Sequence, residues 1–389
     1  MLGRLLGILG GSPETMALFV GFGLVVGLLF GFFGMGGSFL VTPALLMMGY
    51  PATIAVGSGM AFVFGTAVIA TLKHHDLGQV DYKLGAIMIA GTTIGIEVGR
   101  ASVFYLEALG LAGGIISVVY VFLLGGIGTL ITREALEDGD GDCNGDCNGD
   151  CNGDGDCNGD GDCNGDCNGD GDGDGDCDGD GGGVGHDTAE RDLDEYEIPE
   201  IATRIQETVR IPPMVALRGD VRVSVWVITA VAFSTGLLSG FLGVGGGFIR
   251  MPAMIYAIGA PTPVAVGTDL FEIVFSGGIG SYLYGQSGGV DLGIVAPLLF
   301  GSALGARIGS AATAVVDSDD IKVYFGGMLL AGAVAVGIGE VGTYLGNDIL
   351  EAVGLFLVIG AAVVVAGAIV VTTLRSLRAT RGRVTATAD

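Results

Sequence analysis

Apolar residues in this chain are grouped in long runs that short polar stretches separate. A helix needs about 20 mostly apolar residues to cross the roughly 30 Å hydrocarbon core of a bilayer. Nine runs approach or exceed that length: Met16–Phe33, Thr53–Leu72, Leu84–Val98, Leu111–Ile131, Val223–Leu242, Val264–Tyr284, Leu292–Ala311, Val323–Gly339 and Ile349–Leu374. Two shorter runs, Ser38–Tyr50 and Gly247–Ile258, each contain a proline and are too short to span alone as straight helices. The pattern predicts an all-α protein that crosses a membrane many times.

The second half of the chain repeats the pattern of the first. The segment Gly31–Ala44 aligns with Gly240–Ala253 at an offset of 209, and eight of these 14 positions are identical. After one inserted residue the offset is 210, and the matching positions are Ser58 and Thr268, Asp81 and Asp291, Gly91 and Gly301, Gly95 and Gly305, and Gly99 and Gly309. We interpret the chain as two homologous repeats of about five hydrophobic segments each, followed by an additional C-terminal helix.

The distribution of lysine and arginine favours counting the two short runs as crossings. Basic residues concentrate on the cytoplasmic side of membrane proteins. With eleven segments, one side holds Lys73, Lys83, Arg133, Arg204, Arg210, Arg218, Arg222, Lys322, Arg375, Arg378, Arg381 and Arg383. The other side then holds only Arg4, Arg100 and Arg250, whereas nine segments scatter the basic residues over both sides. We therefore expect a cell-membrane protein with two inverted repeats, an outer N-terminus and a cytoplasmic C-terminus.

The charge of the chain is concentrated in one segment. The formal net charge is −25, and 24 of the 42 acidic residues lie between Glu137 and Glu200. All seven cysteines lie there too, and an odd number in a low-complexity repeat is not a disulfide framework. The composition favours a disordered cytoplasmic loop at 137–218, between a first repeat at 1–136 and a second at 219–389. Stretches such as Asp160–Gly165 match half of an EF-hand loop, so weak binding of divalent cations is the alternative.

Paired Gly-rich breaks before the two short runs are the strongest pointer to function. Glycine lets a ligand approach the backbone, and a helix N-terminus has a partial positive charge. Broken helices at matching positions of inverted repeats are typical of secondary transporter sites. We predict an anion site without a buried cation, formed by Gly36, Gly37, Ser38, Gly245, Gly246 and Gly247, with the hydroxyls of Ser58 and Thr268 as further donors. Close helix packing is the alternative for these glycines, and hydroxyls bonded to their own helix the alternative for Ser58 and Thr268.

Four ionisable residues lie within or beside the predicted spans of the second half. Asp269 and Glu272 are three residues apart on one helix face, and Arg250 and Arg307 are available to neutralise them. Because ionisable groups in a membrane are costly, proton coupling or balance of substrate charge is one interpretation. A structural ion pair or a position near the membrane surface is the other. The second interpretation is favoured for Arg250, which lies close to the end of a segment.

These features resemble the sulfite exporter TauE/SafE family of membrane proteins. The resemblance rests on the Gly-rich segments Gly31–Pro43 and Gly240–Pro252, on the Ala-Val-Gly-Ser and Ala-Val-Gly-Thr motifs, and on the two Val-Asp pairs. It covers both hydrophobic halves and implies a secondary transporter that exports small sulfur-containing anions such as sulfite, thiosulfate or organosulfonates. The acidic loop is not part of the family pattern.

Other classes of function have less support. No basic face indicates binding of nucleic acid, and no Walker A motif indicates ATP hydrolysis. The hydrophobic halves lack the clusters of cysteine, histidine and carboxylates that a membrane-embedded enzyme or redox protein would need. We therefore expect no catalytic residues, no cofactor and no metal site; the expected partners are a small anion and the lipid bilayer. An anion channel, or transport of another small anionic solute, is the alternative.

Overall fold

The structure, a computed structural model, describes residues 13–33, 37–76, 80–139, 204, 211–216, 222–260, 262–312 and 318–386. Most of the acidic loop lies outside these ranges, so its disorder and its cation binding stay predictions. The described helices are α1 (Pro13–Phe33), a 3₁₀ turn (Gly37–Leu40), α2 (Val41–Met47), α3 (Ala52–Asp76), α4 (Tyr82–Ala108), α5 (Ala112–Gly139), α6 (Val225–Leu242), α7 (Gly247–Ala253), a π-helical turn (Met254–Ile258), α8 (Thr262–Gln286), α9 (Leu292–Ala312), α10 (Ser318–Leu345) and α11 (Asp348–Ala386). A two-stranded antiparallel hairpin, β1 (Met214–Ala216) and β2 (Arg222–Ser224), precedes α6.

Nine of the described helices are long and apolar enough to cross a bilayer, namely all except α2 and α7. Their positions match the nine long apolar runs, which confirms the prediction of an all-α protein with many membrane spans. The two short runs form separate helical segments, 37–47 and 247–258. At roughly 1.5 Å per residue, each covers about half of the hydrocarbon core.

The closest helix contacts join the two halves of the chain through glycines. α1 and α9 run parallel, with Gly23, Gly27 and Gly31 against the backbone of Leu298, Ser302 and Ala306. α4 and α6 are packed in the same way, with Gly91, Gly95 and Gly99 facing the stretch from Thr229 to Phe241. A Cβ at any of these glycines would overlap atoms of the facing helix. Glycines spaced by four residues thus let the backbones of these helices come into direct contact.

Two further contacts join helices at equivalent positions of the two halves, and both are antiparallel. α3 packs against α8, and α5 packs against α10. The facing residues are Met60 with Gly280 and Phe64 with Gly277 in the first pair, and Gly128 with Leu329 and Gly114 with Glu340 in the second. Equivalent helices that meet in opposite directions are what an inverted duplication would produce.

The chain returns across the bundle between α1 and α3. α3 runs parallel to α9, because Ser58 contacts Asp291 and Gly65 contacts Leu299. Since α9 is also parallel to α1, both α1 and α3 point the same way, and the segment 37–47 lies on the return path. Contacts of α4 with α6 and α8 give the second half the same arrangement. The chain therefore runs in the directions that eleven segments require, although only nine described helices are long enough to cross alone.

Candidate functional site

The second half of the chain contains a helix that breaks inside the bundle. α6 ends at Leu242 and α7 begins at Gly247. Between them, Gly243, Gly245 and Gly246 have φ angles of +76°, +69° and +84°. Residues with a Cβ rarely adopt this conformation. Glycine is therefore what allows the chain to turn at this place.

Two tyrosine hydroxyls hold the carbonyl end of α6 at the break. Tyr284 of α8 donates to the carbonyl of Gly240 at 2.6 Å, and Tyr120 of α5 donates to that of Leu242 at 2.7 Å. The last carbonyls of a helix have no partner within the helix, so these bonds stabilise the broken end inside the protein. Neither tyrosine could be predicted as part of the site, because a tyrosine within an apolar run gives no signal of the carbonyl that it binds.

The break lies at the middle of the bundle. Gly245 faces Val63 and Ile273, which are near the midpoints of α3 and α8. Phe248 in the first turn of α7 contacts Phe39, its equivalent in the first half, with ring centroids 5.6 Å apart. The two short segments thus meet in the core of the protein.

A fully buried arginine lies beside the break. The guanidinium of Arg250 in α7 donates from Nη2 to the carbonyl of Gly245 at 3.1 Å and from Nη1 to Asp269 Oδ1 at 3.0 Å. The same Nη1 also forms an ion pair with Glu272 Oε2. Asp269 and Glu272 follow each other by one turn of α8, and both are buried. We call Arg250, Asp269 and Glu272 the triad.

The charges of the triad do not balance, and some of its polar atoms have no hydrogen-bond partner among the described residues. With all three groups ionised it would have one negative charge in excess, which is costly in a core of low polarity. Arg250 Nε and Asp269 Oδ2 are buried and have no hydrogen-bond partner among the described residues. The hydroxyl of Ser276, one turn further along α8, is also buried without a hydrogen-bond partner among the described residues. Because buried polar groups are normally paired, these atoms mark a place where a ligand, a water molecule or a proton can bind.

One residue of the first half reaches the triad. Thr92 of α4 is buried, and its hydroxyl lies in hydrogen-bond contact with Glu272 Oε1. Thr92 could not be predicted as part of the site, because spacing along one helix does not reveal which residue of another helix it faces. Glu272 was predicted as a site residue, but its contact with Thr92 was not.

The charged cluster exists in the second half only. The positions of the first half that align with Arg250, Asp269 and Glu272 are Val41, Gly59 and Phe62. None of these can ionise. The two halves therefore share their helix arrangement, whereas the buried charges are specific to one of them.

One expectation about charge is wrong. The predicted anion site had no buried cation, but a Cβ at Gly246 would lie only 2.7 Å from Arg250 Nη2. For Arg250 the favoured interpretation was a structural ion pair or a position near the membrane surface; it forms buried ion pairs, beside a break that lies at the middle of the bundle. Both Arg250 and Arg307 were predicted as possible partners of Asp269 and Glu272. Among the described residues Arg250 pairs with both carboxylates, whereas Arg307 is exposed on α9.

The hydroxyls of Ser58 and Thr268 lie at the starts of two helices. Ser58 Oγ accepts a hydrogen bond from the backbone N–H of Asp291 at 3.1 Å, before α9. Thr268 Oγ1 accepts one from the N–H of Asp81 at 2.9 Å, before α4. Both hydroxyls thus act as acceptors for the opposite half, which is neither the predicted oxyanion contact nor a bond to their own helix.

The first-half part of the predicted site is described less completely. Gly36 and the side chain of Ser38 lie outside the described residues. Gly37 begins the 3₁₀ turn that leads into α2. The structure therefore gives geometry for the second break, at Gly245, Gly246 and Gly247, and the role of the first stays a prediction.

A separate cavity of about 260 Å³ lies between the end of α2, the α4–α5 connection and the end of α10. Its lining includes the half-buried carboxylates of Glu107 and Glu340 and shares no residue with the triad. The lining of this cavity has two carboxylates and no basic residue, whereas the triad includes a guanidinium. The candidate anion site is therefore the triad beside the break.

A bundle of membrane-crossing helices around a broken helix with buried charges is the architecture of a membrane transporter. The family described as "Sulfite exporter TauE/SafE" matches residues 19–336 of the chain. The protein belongs to this family.

Shorter stretches of the chain are similar to curated proteins of bacteria. The match is 38% identical over 82 residues with a "Probable membrane transporter protein" of Xylella fastidiosa (strain 9a5c), covering 21% of this chain and 31% of the relative. It is 41% identical over 83 residues with the "Probable membrane transporter protein YunE" of Bacillus subtilis (strain 168), covering 20% and 30%. The chain thus spans about a third of the length of these relatives. No solved structure matches the chain.

Proposed function

We propose that this protein is a secondary transporter of small anions, with sulfur-containing oxyanions or organosulfonates of the sulfite, thiosulfate and sulfoacetate type as its substrates. The observation that best supports an anionic substrate is Arg250, a fully buried guanidinium whose Nε has no partner among the described residues. The description of the family supports sulfur chemistry and export. The distribution of basic residues supports a cytoplasmic C-terminus in the cell membrane.

The anion binds to the edge of the guanidinium that the carboxylates leave free. Asp269 and Glu272 both contact Nη1, whereas Nε has no described partner and Nη2 has one bond, to Gly245. Arginine presents its N–H donors in a planar fork that matches two oxygens of an oxyanion. The glycines of the break place no side chain of their own beside this edge.

Transport follows from two inverted homologous repeats that expose this site to each side in turn. Secondary transporters with inverted repeats bind substrate near the membrane midplane, at discontinuous helices. The position of Gly245, level with the midpoints of α3 and α8, supports such a site. The antiparallel pairing of α3 with α8 and of α5 with α10 supports the inverted duplication itself.

Counterflow in proteoliposomes tests this function directly. Vesicles loaded with unlabelled sulfite, thiosulfate or sulfoacetate should accumulate the same radiolabelled anion in a saturable manner. Purified R250K should lose most of the anion binding, because lysine keeps the charge but lacks the planar fork. R100K is the matched control, since Arg100 is on α4 and pairs with the exposed Glu97. Folded wild-type protein that exchanges none of these anions would overturn the proposal, and flux without saturation would indicate a channel.

A further inference from the structure

The hydroxyl of Thr92 has more acceptors in reach than it has protons. Its Oγ1 lies 2.9 Å from the carbonyl of Met88 and 3.2 Å from that of Ile89, both on its own helix, and also contacts Glu272 Oε1. A threonine hydroxyl has one proton to donate and can accept a hydrogen bond as well. Two hydrogen-bonding arrangements of the same atoms are therefore available.

The two arrangements match the two protonation states of Glu272. When the carboxylate of Glu272 is ionised, Thr92 donates its proton to Oε1. When Glu272 is protonated on Oε1, it donates to Thr92, and Thr92 turns its own proton to the carbonyl of Met88. Glu272 Oε1 and Thr92 Oγ1 keep a hydrogen-bond partner in both states, as is expected of a buried group that gains and loses a proton.

Asp269 has no such arrangement. Its Oδ1 accepts from Arg250, and its Oδ2 is buried without a hydrogen-bond partner among the described residues. A proton on Oδ2 would therefore have no described acceptor. Both carboxylates pair with Arg250 Nη1, but Glu272 also has a hydroxyl partner, Thr92, and is therefore the carboxylate for which both protonation states have a described partner.

We propose that Glu272 takes up the proton that accompanies the transported anion, and that Thr92 is the positioning residue that satisfies Glu272 in both states. This inference rests on the proposed transport of anions by the triad. The proton comes from water in the compartment that loads the site and binds to Oε1, while a monoanion binds to Arg250. The empty triad and the loaded, protonated triad then both have a net charge of −1. Because burying additional charge is costly, the anion and the proton enter together and leave together.

Two charged groups among the described residues face Glu272: Arg250 on α7 and Asp269 on its own helix. On α4 the facing group is the hydroxyl of Thr92, and the residues of α3 and α6 that border the break include Val63 and Ser239, which do not ionise. Because Asp269 also carries a proton site, the test has to compare Glu272 with a variant that changes this carboxyl alone.

Proton uptake on anion binding tests the inference. Purified protein in weakly buffered detergent solution, with a soluble pH indicator, is titrated with whichever of sulfite, thiosulfate or sulfoacetate the wild type exchanges. Wild type should take up about one proton at Glu272 for each anion bound, which conserves the net buried charge for a monoanion such as hydrogensulfite and offsets half of the added charge of a dianion such as thiosulfate. E272Q should take up none, because glutamine imitates the protonated side chain and cannot ionise. The difference between the two proteins cancels any proton bound or released by the anion itself.

Matched threonine variants separate positioning from packing. T92V removes the hydroxyl at nearly constant volume and should lower proton uptake per anion, and T92S, which keeps the hydroxyl, should restore it. T66V is the control, because Thr66 is equally buried and its hydroxyl bonds only to its own helix, at the carbonyls of Phe62 and Val63. Unchanged proton uptake in E272Q would overturn the inference while leaving anion transport intact. Absence of anion exchange in wild type would instead overturn the proposed function.

Discussion

Thr268 Oγ1 accepts a hydrogen bond from the backbone N–H of Asp81 at 2.9 Å, across 187 residues of sequence. The reciprocal bond joins Ser58 Oγ to the N–H of Asp291 at 3.1 Å. Each hydroxyl belongs to a long helix of one half and satisfies an orphan donor where a helix of the other half begins. The starts of α4 and α9 are therefore fixed by contacts between the halves.

Removing either hydroxyl should lower the stability of the protein by a similar amount. Loss of a hydrogen bond to a helix start costs about 1 kcal/mol. We expect S58A and T268V each to lower the thermal unfolding midpoint in detergent, and the double variant to show the sum of both changes. T235V is the control, because its hydroxyl bonds only to its own helix. A decrease for one variant and not for the other would show that the two contacts are not equivalent.

The helices and the break could be predicted because their signals are local. Long apolar runs give the nine spanning helices, and glycine clusters give the turn after α6. The packing of Gly301, Gly305 and Gly309 could also be predicted, since spacing by four places small residues on one helix face.

The contacts of the triad could not be predicted, because they depend on where distant helices meet. Arg250 was assigned to the end of a crossing, since hydropathy does not distinguish a half-helix that stops in the core from one that continues to the surface. From the sequence, Arg307 and Arg250 were equally good candidates to pair with Asp269. In the structure Arg307 is exposed and Arg250 forms the pair. Thr92 resembled any threonine bonded to its own helix.

Gly246 should be essential for anion binding. Its φ of +84° is unfavourable for any residue with a Cβ, and that Cβ would lie 2.7 Å from Arg250 Nη2. We expect G246A to weaken anion binding at least tenfold, which isothermal titration calorimetry on monodisperse protein can measure.

The control variant G49A distinguishes two possible causes of the effect of G246A, namely backbone strain and displacement of the Arg250 guanidinium. Gly49 has a φ of +83° and open space around its Cβ position, so this variant has the same backbone penalty of about 1–2 kcal/mol and no clash. We expect G49A to bind the anion like wild type. Equal losses of binding in both variants would attribute the effect of G246A to backbone strain alone.

Removing one member of the triad should destabilise the protein more than removing all three. R250M leaves two buried carboxylates without a cation and should cost about 3–5 kcal/mol in unfolding free energy. The triple variant R250M/D269A/E272M imitates the apolar first half, with Val41, Gly59 and Phe62, and should regain most of that loss without binding an anion. Chemical denaturation in detergent measures both. A triple variant less stable than R250M would show that the triad stabilises the fold rather than serving a substrate.

Close packing of α1 against α9 predicts a strong effect of one methyl group. A Cβ at Gly305 would overlap the backbone of Leu24, and separating the helices should cost about 1–3 kcal/mol. G21A places the same methyl group on α1 where nothing lies within 4 Å and should be neutral or slightly stabilising. Thermal unfolding of the two variants compares them. Equal stability of G305A and wild type would mean that the contact between α1 and α9 is looser than described.

The membrane orientation predicts which side of the cell two engineered cysteines face. The end of α5 lies beside the start of α10, so Arg204, which follows α5, and Tyr344, near the far end of α10, belong to opposite surfaces. The positive-inside rule predicts that Arg204 faces the cytoplasm. With the seven native cysteines replaced by serine, an impermeant maleimide should label Y344C in intact cells and leave R204C unlabelled until the cells are opened. Labelling of R204C alone would invert the orientation, and labelling of both would mean that α10 does not cross the membrane.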